Sequence, residues 1–207
     1  MNNDRDMSNL RQVRSIDTKF QTREDGEDLY IEGYFAVFNS DYDIDETMSE
    51  SIKPGAFSSS MGKDIRALVN HDTTLVLGRT SAHTLELRED EHGLFGRIRV
   101  NRYDTDAMNC YERVRRGDVT GCSFGFFPIA EETEFFDDGR VHFTITDLEL
   151  FEVSACTFPA YQATNIMARA KDAETLKKRQ MDVWKANMMR KLKGDNNAES
   201  TDVEAAD

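Results

Sequence analysis

The sequence predicts a mainly β domain, a small barrel or barrel-like sheet with helices packed outside it. That expectation rests on a succession of short runs of alternating or β-branched residues, on Asp- and Gly-rich turn signals between them, and on helical character limited to two short segments before residue 170. Residues 1–10 are polar and are expected to form a flexible N-terminus. Val13–Thr22 and Leu29–Phe38 then flank the acidic turn Asp25-Gly26, the pattern of a hairpin. Further strands are expected at Ile65–His71, Leu75–Arg79, Thr84–Arg88, Leu94–Val100, Thr120–Pro128, Val141–Thr146 and Leu148–Phe158, with Asp137-Asp138-Gly139 as a second hairpin turn. One short helix begins near Pro54. Another spans Asp104–Arg115 and closes at Gly117, with Arg113, Arg115 and Arg116 in its last turn, where cations suit the helix dipole.

These elements place the β domain at 11–168. Beyond it, Leu176, Met181, Trp184, Met188 and Leu192 recur at near-helical spacing among lysines and arginines, so 169–193 reads as a basic amphipathic helix that Gly194 ends. The stretch 194–207 is acidic and small-residued, the composition of a disordered tail.

A chain of 207 residues with 39% hydrophobic residues suffices for one globular domain with polar extensions. The formal charge is -13, and residues 171–207 hold equal numbers of acidic and basic side chains, so the whole excess lies on 1–170. An acidic domain disfavours nucleic acid as a partner, because neutralising phosphates needs a basic surface. No apolar run reaches membrane-spanning length, and the polar N-terminus lacks the apolar core of a secretory signal, so neither membrane nor export is expected. Cys110, Cys122 and Cys156 are odd in number and lack metal-ligand spacing, which fits free thiols in a reducing compartment with no metal and no cofactor.

Three segments carry candidate chemistry. Gly121-Cys122-Ser123-Phe124-Gly125 matches a G-x-S-x-G nucleophile elbow literally, but an elbow needs a helix after the serine, and Phe126-Phe127-Pro128 continues as strand. An α/β-hydrolase is thereby disfavoured. Alternation still puts Gly121, Ser123, Gly125 and Phe127 on one face, where the glycines leave room for a close approach beside the hydroxyl. The alternative is an ordinary strand serine. Asn70-His71-Asp72 ends a strand, where an imidazole can face an open cleft and accept a proton; otherwise it is a surface histidine in a polar turn. Glu152 lies in a strand apolar on both faces, so it needs a hydrogen-bonding partner such as an imidazole, unless the strand is an edge and the carboxylate meets water. Two other constellations fail. Asp41-Tyr42-Asp43-Ile44-Asp45 starts like a calcium loop but has Glu46 and Ile52 where glycine and the bidentate glutamate belong, and Cys122 points with Phe124 and Phe126 to the face opposite Ser123.

The order of the pieces resembles the phage prohead (capsid maturation) serine proteases of HK97-like tailed phages. The resemblance is carried by Ser51-Ile52-Lys53-Pro54-Gly55-Ala56-Phe57, Val69-Asn70-His71-Asp72 with Leu77-Gly78-Arg79-Thr80, Glu91-His92-Gly93-Leu94, Arg116-Gly117-Asp118-Val119 leading into Cys122-Ser123-Phe124-Gly125-Phe126, and Phe151-Glu152-Val153-Ser154 with Pro159-Ala160-Tyr161, over about residues 28–166. It implies a fold similar to the herpesvirus assemblin proteases, a closed β-barrel with a few flanking helices. It also implies a serine endopeptidase in which Ser123 is the nucleophile and His71 the base, by match to the family's S-F-G-F and N-H-D segments. The third member by that match is Glu152; assemblin-like enzymes use a second histidine there, for which His83 and His142 are the alternatives. Cys122 is a mild departure, since the family has a polar residue or methionine before the serine.

The resemblance further implies the partners and the setting. These are the major capsid protein with its scaffold or delta segment, and the protease itself through self-cleavage as a homo-oligomer, inside the assembling prohead in the host cytoplasm. The helix 169–193 is then expected to recruit the enzyme into the shell and to be removed near the end of the barrel; the alternative is a helix that packs on the barrel or pairs with another copy through its single apolar stripe. The rival from another class is a non-catalytic scaffold or capsid-assembly protein that keeps the fold, and an esterase using the same serine and histidine is a further one.

Overall fold

A computed structural model describes residues 12–16 and 20–157, together with residues 177, 178, 181, 182, 184, 185, 188 and 189. In chain order its elements are β1 (Gln12–Ile16), β2 (Gln21–Asp25), β3 (Asp28–Val37), β4 (Tyr42–Asp43), β5 (Met48–Ile52), β6 (Arg66–Val69), β7 (Asp72–Arg79), β8 (Leu85–Glu89), β9 (Gly93–Val100), α1 (Thr105–Arg116), β10 (Gly121–Phe135) and β11 (Val141–Cys156). The chain divides into two units, Met1–Ile166 and Met167–Asp207.

The first unit holds two sheets. In the seven-stranded sheet the order is β1-β10-β11-β5-β4, and β6 joins β11 and carries β7. The four-stranded sheet runs β2-β3-β9-β8. β11 is the spine of the larger sheet: one edge pairs with β10, while the other takes two parallel partners in succession, Val141–Ile145 against β5 and Glu152–Ala155 against β6.

Local chemistry accounts for the connections. The β2–β3 turn relies on Gly26 at φ +62° and the β10–β11 turn on Gly139 at φ +90°, a left-handed region that glycine enters without steric cost. The Asp104 carboxylate caps α1 by accepting from the Asp106 and Ala107 amides, and Gly117 closes it in the left-handed region. One apolar core is shared by both sheets and α1, with Ile31 and Phe35 of β3, Ile98 of β9, Tyr111 and Val114 of α1, and Phe124 and Phe126 of β10 buried in it. Phe124 stacks on Phe126 with centroids 5.2 Å apart and takes Phe57 edge-on at 5.5 Å. Truncating any of these rings would cost about 3–5 kcal/mol.

Mainly β is therefore the observed class, but the sheets are open, and no ladder closes a barrel among the described residues. Side-chain packing across the shared core takes the place of a closing ladder. The expected strand Val13–Thr22 is two strands in different sheets, β1 on β10 and β2 on β3. The helix expected near Pro54 is a single 3₁₀ turn, Ser58–Ser60, and the two strands expected over 141–158 are one strand whose register with β10 is irregular either side of the Ala130–Asp147 pair. The acidic segment that starts like a calcium loop contributes the short β4, and Asp45 caps the turn into β5 by accepting from the Thr47 and Met48 amides.

In the second unit the described residues are helical and exposed, including Met181, Trp184 and Met188. Residues 1–10, expected as a flexible N-terminus, residues 194–207, expected as a tail, the other residues of the helix expected over 169–193, and Pro159-Ala160-Tyr161 lie outside the described residues. No helix among the described residues is long and apolar enough to cross a membrane, and no cluster of His, Cys, Asp and Glu among them could hold a metal ion.

Candidate active site

Strand alternation sets out the site. On β10, Cys122, Phe124 and Phe126 enter the core, and Ser123 and Gly125 take the opposite face. On β11, Leu148 and Leu150 enter the core, and strict alternation would send Glu152 after them. A β-bulge intervenes: Leu150 pairs with Phe126 but Glu152 pairs with Gly125, so β11 gains one residue there. The phase flips, Val153 and Ala155 become the core residues, and Glu152, Ser154 and Cys156 join Ser123 on the other face.

Gly125 makes room for this. A Cβ at that position would lie 2.4 Å from Glu152 Oε1 and 2.7 Å from the Phe151 ring. The space beside Ser123 that the sequence reserves with a glycine is thus filled by a carboxylate.

His71 arrives from the β6–β7 hairpin. Val69 pairs with Asp72 across the two-residue turn Asn70-His71, and both turn residues have positive φ, 50° and 62°, the signature of a type I′ turn. A side chain in the left-handed region costs on the order of 1 kcal/mol, and the turn is held by its partners. The Asn70 amide donates to Ala155 O at 2.9 Å, and Asn70 Oδ1 accepts the Thr157 amide at 2.9 Å. The His71 amide donates to Ser154 Oγ at 3.2 Å.

The imidazole lies along the β11 face. Nδ1 is 2.7 Å from Glu152 Oε1, and Nε2 faces Cys156 Sγ at 3.7 Å. Ser154 donates from Oγ to Glu152 Oε2 at 2.7 Å, so both carboxylate oxygens are engaged. Glu152 is almost fully buried, and His71 is 13% exposed. With Nδ1–H donating a hydrogen bond to the carboxylate, Nε2 is left as an acceptor, the tautomer a general base needs. Burial first, then the neighbouring Glu152, push the Cys156 thiol up to about 12, so it stays protonated at neutral pH and is no nucleophile there.

Ser123 lies in register with Ser154, on the same face as the histidine–glutamate pair. It is fully buried, and its hydroxyl donates to the Arg14 carbonyl of β1 at 2.7 Å. The stretch around it is paired on both sides, to β1 and to β11. The alternative histidines stand elsewhere. His83 is exposed at the end of a 3₁₀ turn, and His142 bonds Ser49 and Ser51. Ser154 is the residue whose role sequence reasoning missed, although its place two residues after Glu152 on one strand face was the available signal.

Ser123, the His71 imidazole and the buried Glu152 carboxylate share one face of the sheet; the imidazole bonds the carboxylate, and the serine hydroxyl bonds Arg14 O rather than the imidazole. Residues 15–179 match the model of the Caudovirus prohead serine proteases, and the chain belongs to that family, as the resemblance in its motifs implied. It is 32% identical over 159 residues to the prohead protease of Enterobacteria phage HK97, an alignment covering 73% of this chain and 65% of that protein, just under two thirds of its length. The solved bacteriophage T4 capsid assembly protease is similar with a TM-score of 0.49 and 13% identity, over 72% of this chain and 98% of that one.

Proposed function

We propose that the chain is a serine endopeptidase of prohead maturation with Ser123 as nucleophile, His71 as general base and Glu152 as the group that orients the imidazole. The single observation that supports this most is the 2.7 Å contact between His71 Nδ1 and Glu152 Oε1 on the face that carries Ser123. The serine hydroxyl leaves Arg14 by rotation about χ1 and gives its proton to Nε2 as Oγ bonds the peptide carbonyl carbon. The imidazolium, stabilised by Glu152, then protonates the leaving amine as the C–N bond breaks. Water, deprotonated by the same nitrogen, releases the acyl group and regenerates Ser123.

The substrates in this reading are the scaffold or delta segment of the major capsid protein and the protease itself, inside the assembling prohead in the host cytoplasm. Confinement in a shell raises the effective concentration of enzyme and substrate, so a slow enzyme suffices. The segment 169–193 serves as the recruiting segment, and normal packaging of a chain ending at Arg169 would overturn that part. The test of the whole is intact mass over time for wild type and Ser123→Ala, each with and without co-expressed capsid protein. Truncation of the wild-type chain and of the capsid protein, with neither in the variant, is expected. The full burial of Ser123 favours a second reading, a scaffold protein that keeps the fold; both chains intact in the presence of assembled shells would establish it.

A further inference from the structure

The Ser123 hydroxyl is engaged by β1, a strand of five residues. β1 lies at one end of the seven-stranded sheet and pairs with β10 over Gln12–Ile16, with Ser15 opposite Ser123. The next strand, β2, belongs to the other sheet, so β1 meets the ladder only at the edge that flanks the serine. Such an edge, once vacated, offers main-chain donors and acceptors to any extended peptide.

The Arg14 carbonyl meets the serine, while its side chain turns to the opposite face, with Phe124 and Phe126, and is held there in a built pocket. Arg14 Nε and Nη2 meet Glu50 Oε1 and Oε2 at 2.5 and 2.7 Å, a bidentate pair, and the guanidinium lies 5.6 Å from the centre of the Phe126 ring. Glu50 is fully buried and comes from β5, Phe126 from β10. The guanidinium also donates to Val13 O at 3.0 Å and Gln12 Oε1 at 2.7 Å within β1, but the carboxylate and the ring belong to other strands and remain if β1 departs. A carboxylate at that depth requires a cation, so the pocket accepts a basic side chain and rejects an acidic one.

We propose that β1 occupies, within its own chain, the strand-addition slot of a peptide substrate, and that Glu50 determines specificity by taking an Arg or Lys in register with Arg14. The inference rests on the endopeptidase reading above but concerns the slot, which binds whether or not Ser123 reacts. β1 is then a resident competitor. A substrate strand must displace it before the serine can turn toward His71, which accounts for a nucleophile with no exposed surface.

The experiment uses the full chain as wild type, Arg14→Ala and Arg14→Ala/Glu50→Gln. Anisotropy measures binding of two labelled peptides, Gln-Val-Arg-Ser-Ile and Gln-Val-Glu-Ser-Ile. The Arg14→Ala chain is expected to bind the basic peptide at least about tenfold more tightly than the acidic one and at least about tenfold more tightly than wild type does, since loss of a buried charge pair at an interface costs this much or more. The double variant is expected to lose the preference. Arg14→Gln, which keeps a hydrogen bond to Glu50, replaces Arg14→Ala should the latter not fold. Equal binding of both peptides by the single variant, or binding by wild type as tight as by the variant, overturns the proposal. A fluorophosphonate, read by intact mass, tests the nucleophile separately: selective peptide binding with no adduct in any chain would remove the serine reading and leave the slot standing.

Discussion

Two histidines in this molecule have both ring nitrogens engaged at the β11 strand, and they do different things. His71 has a buried carboxylate at Nδ1 and a protonated thiol at Nε2. His142, on β11 itself, has Ser49 Oγ at Nδ1 and Ser51 Oγ at Nε2, at 2.7 and 2.8 Å, and the nearest carboxylate, an exposed Asp41, is 4.0 Å from Nε2. Ser49 and Ser51 lie two apart on β5 and so share one face, which makes His142 a staple between parallel strands. A hydroxyl beside an imidazole is therefore no sign of a nucleophile. What distinguishes His71 from the staple, and makes it the base in the proposed mechanism, is the carboxylate at Nδ1, which fixes the tautomer and can stabilise an imidazolium.

That contrast can be broken most forcefully at the reacting groups. His71→Ala and Ser123→Ala are each expected to lower peptide-bond cleavage by a factor on the order of 10⁴ to 10⁶, with folding retained in Ser123→Ala. Rates of capsid-protein cleavage by gel or mass spectrometry would measure this, and residual cleavage near wild type would end the assignment. Glu152→Gln comes next, at about 10³- to 10⁴-fold, because the amide keeps the shape but can hold the wrong tautomer. Gly125→Ala tests the same contact indirectly. Its Cβ would displace the Glu152 carboxylate, and a loss of about 100-fold in kcat with KM little changed is expected. His142→Gln should behave in the opposite manner, leaving kcat within about twofold and lowering stability by about 1–2 kcal/mol in urea unfolding, for two lost hydrogen bonds.

The smallest effect concerns the thiol at Nε2. Cys156 has an ordinary thiol value of 9.0 that burial raises to about 12 in the folded chain. Above pH 9 the unfolded thiol ionises and the folded one does not, so the folded state loses stability as pH rises toward 12, and nothing is lost below pH 9. Tm is expected to fall by a few degrees less in Cys156→Val than in wild type on going from about pH 8 to about pH 10.5. An identical fall in both chains would show that the thiol does not contribute.

Much of this arrangement is legible before any coordinates. The Asp25-Gly26 and Asp137-Asp138-Gly139 turns, the cap and stop of α1, and the opposite faces of Ser123 and Cys122 follow from turn chemistry and a two-residue period. The environment of Glu152 does not. Counting by twos from Leu148 and Leu150 buries it in the core, and only the inserted residue at the bulge turns it to His71. β4 and β5 escaped because their short polar runs hold no alternation, and they exist as strands through pairing with β11, a contact distant in sequence. The break after Ile16 is likewise invisible to periodicity, since β1 and β2 are both extended and differ only in which sheet they join.

The spine position of β11 has a consequence in time. It follows every other strand among the described residues, yet it supplies Glu152 and gathers β5, β6 and β10 from earlier positions, two of them by parallel pairing across long sequence separations. Contacts of that kind form late, because the chain must close large loops before they stabilise anything. During synthesis the hairpin bearing His71 and the strand bearing Ser123 emerge before the carboxylate that completes them. A nascent chain thus has no complete His71–Glu152 pair until β11 has docked, so under the proposed mechanism the arrangement is assembled only at the end of folding.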